Sequence, residues 1–536
     1  MAAAETGSGG RVDASAPRAH GEAFAPTVAV VSPSREDGVV RGLSEAIGGP
    51  LGDHAASGGR THWWWTPVRI VLALAVLVFF LHWVQKSPCQ DGAWADYEQY
   101  KRFCYTDVLA LYYAEELHQG AVPYLDHEVE YPVLTGFLMG IIGLPVHAIA
   151  QERPDLNQGQ VFYIITAIVL MAFGLAAIAV TLALRRRRPW DALLFVLAPA
   201  LVVTATVNWD LLAVGLTAFF FYAWARERPV LAGVMLGLAV AAKFYPLFLA
   251  GPLIVLAART GRVRAAATTI GTAAATWVVV NAYPFLVARE GWSRFFELSR
   301  ERPVDWGTFW YIGKEWPFPL RTDCVEGQEC LGLQPFVDLA RDIPTLNTVS
   351  YVLFGLACAG IAVLTWLAPR RPRLAQLSFL VVAAFLLTSK VWSQQFVLWL
   401  IPLVALARPR WGGFLVWQAA EVAYFLGFYA HLLNLEGVDV MPESVYVYIS
   451  AARWLTLLLL AGLVVRDVLR PRDDVVWAAY GDDPDGGAFV GARDAGWIDA
   501  SRVWLHERLG EWRWRLRGVP GEAPAAALDR GGRTPL

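Results

Sequence analysis

The chain has 536 residues, 56% of them hydrophobic and only 17% charged, with a formal net charge of −2. One or two soluble cores could not enclose that much apolar surface, so the composition excludes a water-soluble globular protein and points to an integral membrane protein. There is no global positive field, and the basic residues sit between apolar runs, so nucleic acid is not expected as a partner.

Residues 1–62 are rich in Ala, Gly, Ser and Pro and contain no continuous apolar run, which predicts a disordered cytoplasmic tail. Trp63, Trp64 and Trp65 suit a membrane interface and lead into the first apolar run at 67–84. Further runs follow at 160–184, 190–206, 211–225, 230–243, 246–258, 265–285, 349–367, 374–388, 396–407, 411–430 and 443–465. Their length indicates helices; barrel strands would alternate polar and apolar residues over about 10 positions. Arginines cluster at 185–188, 226 and 228, 259–264, 370–373, 408–410 and 466–472, at every second connection, and this bias marks the cytoplasmic face.

The apolar stretch 133–150 would break that parity as a full crossing, so it is expected at the outer interface as a juxtamembrane or re-entrant helix. The predicted fold is an all-α polytopic bundle of about twelve transmembrane helices in the plasma membrane. Both termini are expected to be cytoplasmic. The membrane domain covers 63–465, with external loops at 85–159 and 286–348, and 466–536 is a cytoplasmic tail whose segment 497–517 suits an amphipathic helix.

Cys89 and Cys104 fall in the first external loop and Cys324 and Cys330 in the second, while Cys358 lies in a span. Paired external thiols suit an oxidising compartment, so disulfides Cys89–Cys104 and Cys324–Cys330 are expected. Neither pair has CxxC spacing, and no metal ion or other cofactor is predicted.

The first external loop is crowded with carboxylates and aromatics, a composition that suits a sugar: rings stack on its C–H face while carboxylates and amides accept its hydroxyls. One carboxylate can then act as general base on an acceptor hydroxyl. No second acid is needed if the leaving group is a lipid phosphate, and a single displacement inverts the anomeric centre. A transporter or flippase of lipid-linked or small solutes is the alternative, but it should show repeats and midplane polar sites rather than carboxylates gathered in an external loop.

Tyr105-Thr106-Asp107, the turn from Gly120 to Tyr124, Tyr131-Pro132-Val133, Asn208-Trp209-Asp210 and Lys243-Phe244-Tyr245-Pro246 together resemble the GT-C polytopic glycosyltransferases. The nearest likeness is to glycosyltransferase family 87, including its actinobacterial polyprenyl-phosphate-mannose-dependent α-mannosyltransferases. It extends over about residues 66–465, with Val133 standing where the family usually has a second proline. The resemblance implies an inverting hexosyltransferase that takes a sugar, mannose by likeness, from a polyprenyl-phosphate donor to a glycolipid, glycan or protein acceptor outside the membrane. It also implies that Asp107 is the catalytic base, although an aspartate there could simply begin a helix.

Charge requires cations for the donor phosphate, and Lys243, Lys390 and Arg453 are the candidates, the lysines otherwise snorkelling at helix ends and Arg453 otherwise pairing with Glu421. Tyr105, Glu128, Glu130, Tyr131, Asp210 and Gln394 are the candidates for holding sugar or acceptor.

Overall fold

The computed structural model describes residues 30–49, 64–318, 331–498, 500 and 501. Among the described residues it is helical throughout, apart from one isolated bridge between Pro123 and His127. The expected Cys324–Cys330 disulfide and most of the 497–517 segment lie outside the described residues.

Helix α1, Gly38–Gly48, falls inside the stretch expected to be disordered. Local capping and docking order it: the Asp37 carboxylate accepts the Val39 and Val40 N–H groups at 2.9 and 3.2 Å and that of Trp411 at 2.9 Å, and Glu36 pairs with Arg188. Then come α2 (Pro67–Lys86), α3 (Asp107–Ala114), α4 (Val133–Glu152), α5 (Gln158–Leu184), α6 (Asp210–Ala225), α7 (Pro229–Ala242), α8 (Ala250–Thr260), α9 (Val263–Val287) and α10 (Arg289–Glu301). The second half contains α11 (Ile343–Leu367), α12 (Leu374–Thr388), α13 (Val397–Ala407), α14 (Trp411–Leu435) and α15 (Glu443–Leu469).

Six of these, α2, α4, α5, α9, α11 and α15, are long and apolar enough to cross a bilayer, against the twelve or so spans expected. Helices α6, α7 and α12 are apolar but only 10–17 residues long. The run expected as one span at 190–206 is divided into Leu193–Val196 and Pro199–Thr204, because Pro199 has no N–H to continue a helix but fits its first turn.

Helix α4 has the length of a crossing helix, yet it lies against the 117–124 stretch along its length. Gly136, Gly140 and Gly143 face Tyr124, Pro123 and Leu117, and His147 bonds the His118 carbonyl at 2.9 Å. Just beyond its end, Asn157 donates to the Asp91 carbonyl at 2.8 Å, so both ends of α4 adjoin the same loop.

At one pole of the bundle the arginine connections meet the last turn of α15 and the chain that follows it. Buried Arg185 pairs with Asp485 at 2.6 Å, Arg259 with Asp494 at 2.9 Å, Arg371 with Asp482 at 2.6 Å, Arg373 with Asp474 at 2.8 Å and Arg408 with Asp467 at 3.0 Å. Arg185 and Arg373 also donate to the Leu406 carbonyl. The same strap lays the Gly486 carbonyl on the Trp224 indole N–H at 2.9 Å. Gly487, at φ +52°, abuts the Trp224 carbonyl so closely that any Cβ would collide with it. Both described ends of the chain sit at this arginine pole.

Candidate functional site

Asp107 lies at the opposite pole, and its position is fixed by backbone before its side chain is considered. Thr106, not Asp107, caps α3, its Oγ1 accepting the Val108 N–H at 3.2 Å. The same hydroxyl donates to the Thr206 carbonyl at 2.7 Å, and the Asp107 N–H donates to the Val207 carbonyl at 2.7 Å. The 204–208 turn is in turn held by His82 of α2, which bonds the Val202 carbonyl and Thr206 Oγ1, each at 2.7 Å, while Tyr163 reaches the same hydroxyl at 2.9 Å. The Cys89–Cys104 disulfide ties the end of α2 to the residue two before Thr106, with 5.6 Å between Cα atoms. Lys86, buried, donates to the Tyr105 carbonyl at 2.8 Å.

The cap being supplied by Thr106, the Asp107 carboxylate is free to face inward. Asn208 Nδ2 donates to its Oδ2 at 2.7 Å, Gln395 Nε2 stands 3.5 Å from the same oxygen, and the Tyr105 hydroxyl also donates to the carboxylate. Burial pushes the Asp107 carboxyl above the usual carboxylate range, against the hydrogen bonds from Asn208 and Tyr105 and the charges of Lys243 and Arg302. A raised but ionisable carboxylate is a better proton acceptor than an ordinary surface aspartate.

Asn208 links this carboxylate to a cation. Its Nδ2 lies 2.5 Å from the Tyr131 hydroxyl, and its Oδ1 accepts from Lys243 Nζ at 3.2 Å. Lys243 lies over the Tyr131 ring, 4.8 Å from its centroid, and 3.5 Å from Asp210 Oδ2. Asp210 is fully buried and takes the Trp399 indole N–H at 2.6 Å, so it anchors Lys243 instead of opening to a ligand.

The other sequence candidates divide. Glu130 is half-buried beside the same group, its carboxyl raised by burial and opposed by Arg302. Glu128 is exposed and pairs with Arg294 at 3.4 Å. Gln394 turns away to the Tyr429 hydroxyl at 2.9 Å, and its neighbour Gln395 faces Asp107. Lys390 is buried and donates to the Arg300 carbonyl at 2.9 Å; burial, then Arg302, pushes it down to about 8. Arg453 is not brought to the site. It lies between the Trp392 and Tyr424 rings, pairs with Glu421 at 2.9 Å and donates to the Trp392 and Ser393 carbonyls at 3.0 and 3.2 Å, which fixes the loop carrying Gln395. Among the described residues, no three His, Cys, Asp or Glu side chains converge as a metal site would require.

Residues 131–391, just under half of the chain, match the family model GT87, Glycosyltransferase family 87. The family stretch contains Tyr131, Asn208, Asp210, Lys243 and Lys390 and begins after Asp107. No curated protein matches the chain. Among solved structures, the archaeal oligosaccharyltransferase AglB from Archaeoglobus fulgidus, in complex with an inhibitory peptide and a dolichol-phosphate, is similar at 14% identity with a TM-score of 0.31. That similarity covers 76% of this chain and 56% of that one.

Three site residues escaped the sequence reading. Arg302, exposed at the end of α10, acts electrostatically on Asp107, Glu130 and Asp305, yet its guanidinium makes no ion pair or hydrogen bond among the described residues. Glu115 accepts the Glu130 N–H at 3.3 Å and faces His127 at 3.5 Å, and burial pushes its carboxyl up to about 7. His82 supports the Asp107 turn from a residue 124 positions away from Thr206. For Arg302 the one available signal was a charge directly before a proline in an external loop.

Proposed function

We propose that the chain is an inverting glycosyltransferase of GT-C type that moves a hexose, mannose by family likeness, from a polyprenyl-phosphate donor to an extracytoplasmic acceptor. Asp107 takes the proton from the acceptor hydroxyl as that oxygen forms a bond to the anomeric carbon. The bond from the anomeric carbon to the phosphate oxygen breaks, and the polyprenyl phosphate leaves with the electron pair. Lys243, supported by Asp210 and Asn208, and Arg302 neutralise the charge that gathers on the phosphate. Glu130 and the Tyr105 and Tyr131 rings are suited to hold sugar and acceptor. The observation that carries this reading is the chain from Asp107 through Asn208 to Lys243, which joins a proton acceptor to a phosphate-type cation through one amide.

The active site is proposed to face outward, because the arginine connections gather at the other pole. The packing of α4 along the Asp91 to Tyr124 loop supports counting α4 as non-crossing, which keeps the parity intact. The test is to incubate membranes holding the full chain with radiolabelled polyprenyl-phosphate-mannose and to identify the product and its anomeric configuration. Transfer with inversion, lowered about 10²–10⁴-fold by Asp107→Asn, is the expected result. Retention, or full transfer by the variant, rejects this role.

A further inference from the structure

The last residue of α2, Lys86, is buried, and among the described residues its ammonium makes no ion pair. It donates to the Tyr105 carbonyl at 2.8 Å, and the ring of Phe425 in α14 lies 5.9 Å from Nζ. One turn earlier on α2, His82 is committed to the Val202 carbonyl and Thr206. Taking an ammonium out of water costs more than one bond to a neutral carbonyl returns, so the charge calls for a carboxylate nearby.

Position alone does not call for a cation here. The 103–105 stretch is already held to the end of α2 by Gln85 Nε2, which donates to the Phe103 carbonyl at 2.5 Å, and by the Cys89–Cys104 disulfide. The carboxylate whose field reaches Lys86 is that of Asp107, two residues beyond the carbonyl that Lys86 holds. Two ammonium groups therefore serve one carboxylate, Lys243 through the Asn208 amide and Lys86 through the Tyr105 peptide. They differ in reach: part of the Lys243 side chain is exposed and can meet a ligand, whereas Lys86 is closed off.

The remaining groups around Asp107 pull in both directions. Arg302 and Lys243 favour its ionised form, and the like charges of Glu130 and Asp210 oppose it. Tyr105 donates to it, and the phenols of Tyr100, Tyr131 and Tyr429 stand near it. A donor phosphate engaged by Lys243 and Arg302 brings a further negative charge beside Asp107, which favours the protonated acid, a form that cannot act as a base. A cation that the phosphate cannot reach is not diverted in this way.

Resting on the functional reading above, we infer that Lys86 is a fixed counter-ion to Asp107. It is a positioning residue that acts through the Tyr105 peptide and keeps the carboxylate ionised while the donor phosphate occupies Lys243 and Arg302.

The test follows the protonation of Asp107 without relying on transfer. The full chain in liposomes with polyprenyl phosphate is treated across a pH series with dicyclohexylcarbodiimide, which modifies a carboxyl group in its protonated form. The adduct on the Asp107 peptide is then quantified by mass spectrometry. Loss of a nearby cation makes the aspartate easier to protonate. Lys86→Gln, which keeps a donor for the Tyr105 carbonyl, and Lys86→Met, which does not, should therefore both move the midpoint up by about one pH unit. Lys86→Arg, which keeps the charge, should return the midpoint to the wild-type position, and the acid limb of kcat/KM should follow the same order. An unmoved midpoint in Lys86→Gln overturns the inference, as does a shift in Lys86→Arg as large as that in Lys86→Gln. A merely structural lysine would lower transfer without moving the midpoint. If the midpoint moves but the wild-type chain transfers no sugar, the functional reading fails while the pairing stands; transfer that requires Asp107 with a midpoint indifferent to Lys86 gives the reverse.

Discussion

The two poles of the bundle treat charge in opposite ways. At the arginine pole, guanidinium groups are buried and matched by aspartates of the strap that follows α15, as in the Arg185–Asp485 and Arg373–Asp474 pairs. At the other pole, Asp107 and Arg302 interact electrostatically without an ion pair between them among the described residues, and the Lys243 side chain is 11% exposed. Buried, satisfied pairs contribute rigidity and register, whereas charges left partly unmatched near solvent can be completed by a ligand. The difference separates stability from chemistry along the length of the molecule, and substitutions should respect that division.

The largest effect is expected at the arginine pole. Asp485→Ala strands the buried Arg185 and should lower unfolding stability by about 3–5 kcal/mol, while kcat per folded molecule in detergent stays near wild type. A large loss of kcat without loss of stability would erase the division. Next, Cys104→Ser removes the disulfide that pins the chain before Asp107 and should cost about 3 kcal/mol of stability, checked by thermal melting with and without reductant; reductant should lower the wild-type melting temperature by more than that of the variant.

Arg302→Ala should do the converse. The side chain is exposed and unpaired among the described residues, so the melting temperature should hold, while kcat/KM for a lipid-phosphate donor falls about 10²-fold. The smallest effect concerns Glu115. Its folded-state pKa of about 7 lies above the usual value of 4.5, so its contribution to stability is present below the lower value and is lost as pH rises through the higher one. Glu115→Gln should therefore become more stable relative to wild type as pH is raised from about 4.5 to about 7, read as the difference in melting temperature; a difference independent of pH would contradict the burial of that carboxylate.

The same division explains what could be read in advance. Apolar run length and arginine spacing gave the helical membrane architecture and the separation of the poles, because bilayer thickness and charge bias act on local sequence. They did not reveal that Arg185 and Arg259 would be buried against aspartates some 300 and 235 positions away, nor that Pro199 would split a run of sufficient length. Asp107, Tyr131 and Lys243, singled out by family likeness and residue type, lie together around Asn208. Gln394 and Gln395 differ by one step in a tight turn, and only the fold decides which of them faces the carboxylate. His82 and Glu115 act through partners supplied by tertiary packing, which periodicity does not encode.

Placing the two poles on opposite faces of the membrane is the claim on which the rest depends. It is tested by an impermeant maleimide applied to intact cells carrying either Leu125→Cys, at the Asp107 pole, or Val490→Cys, at the arginine pole, both at exposed positions. The account predicts labelling of the first variant in intact cells and of the second only after the cells are opened. Labelling of the Leu125→Cys variant only in opened cells would contradict it.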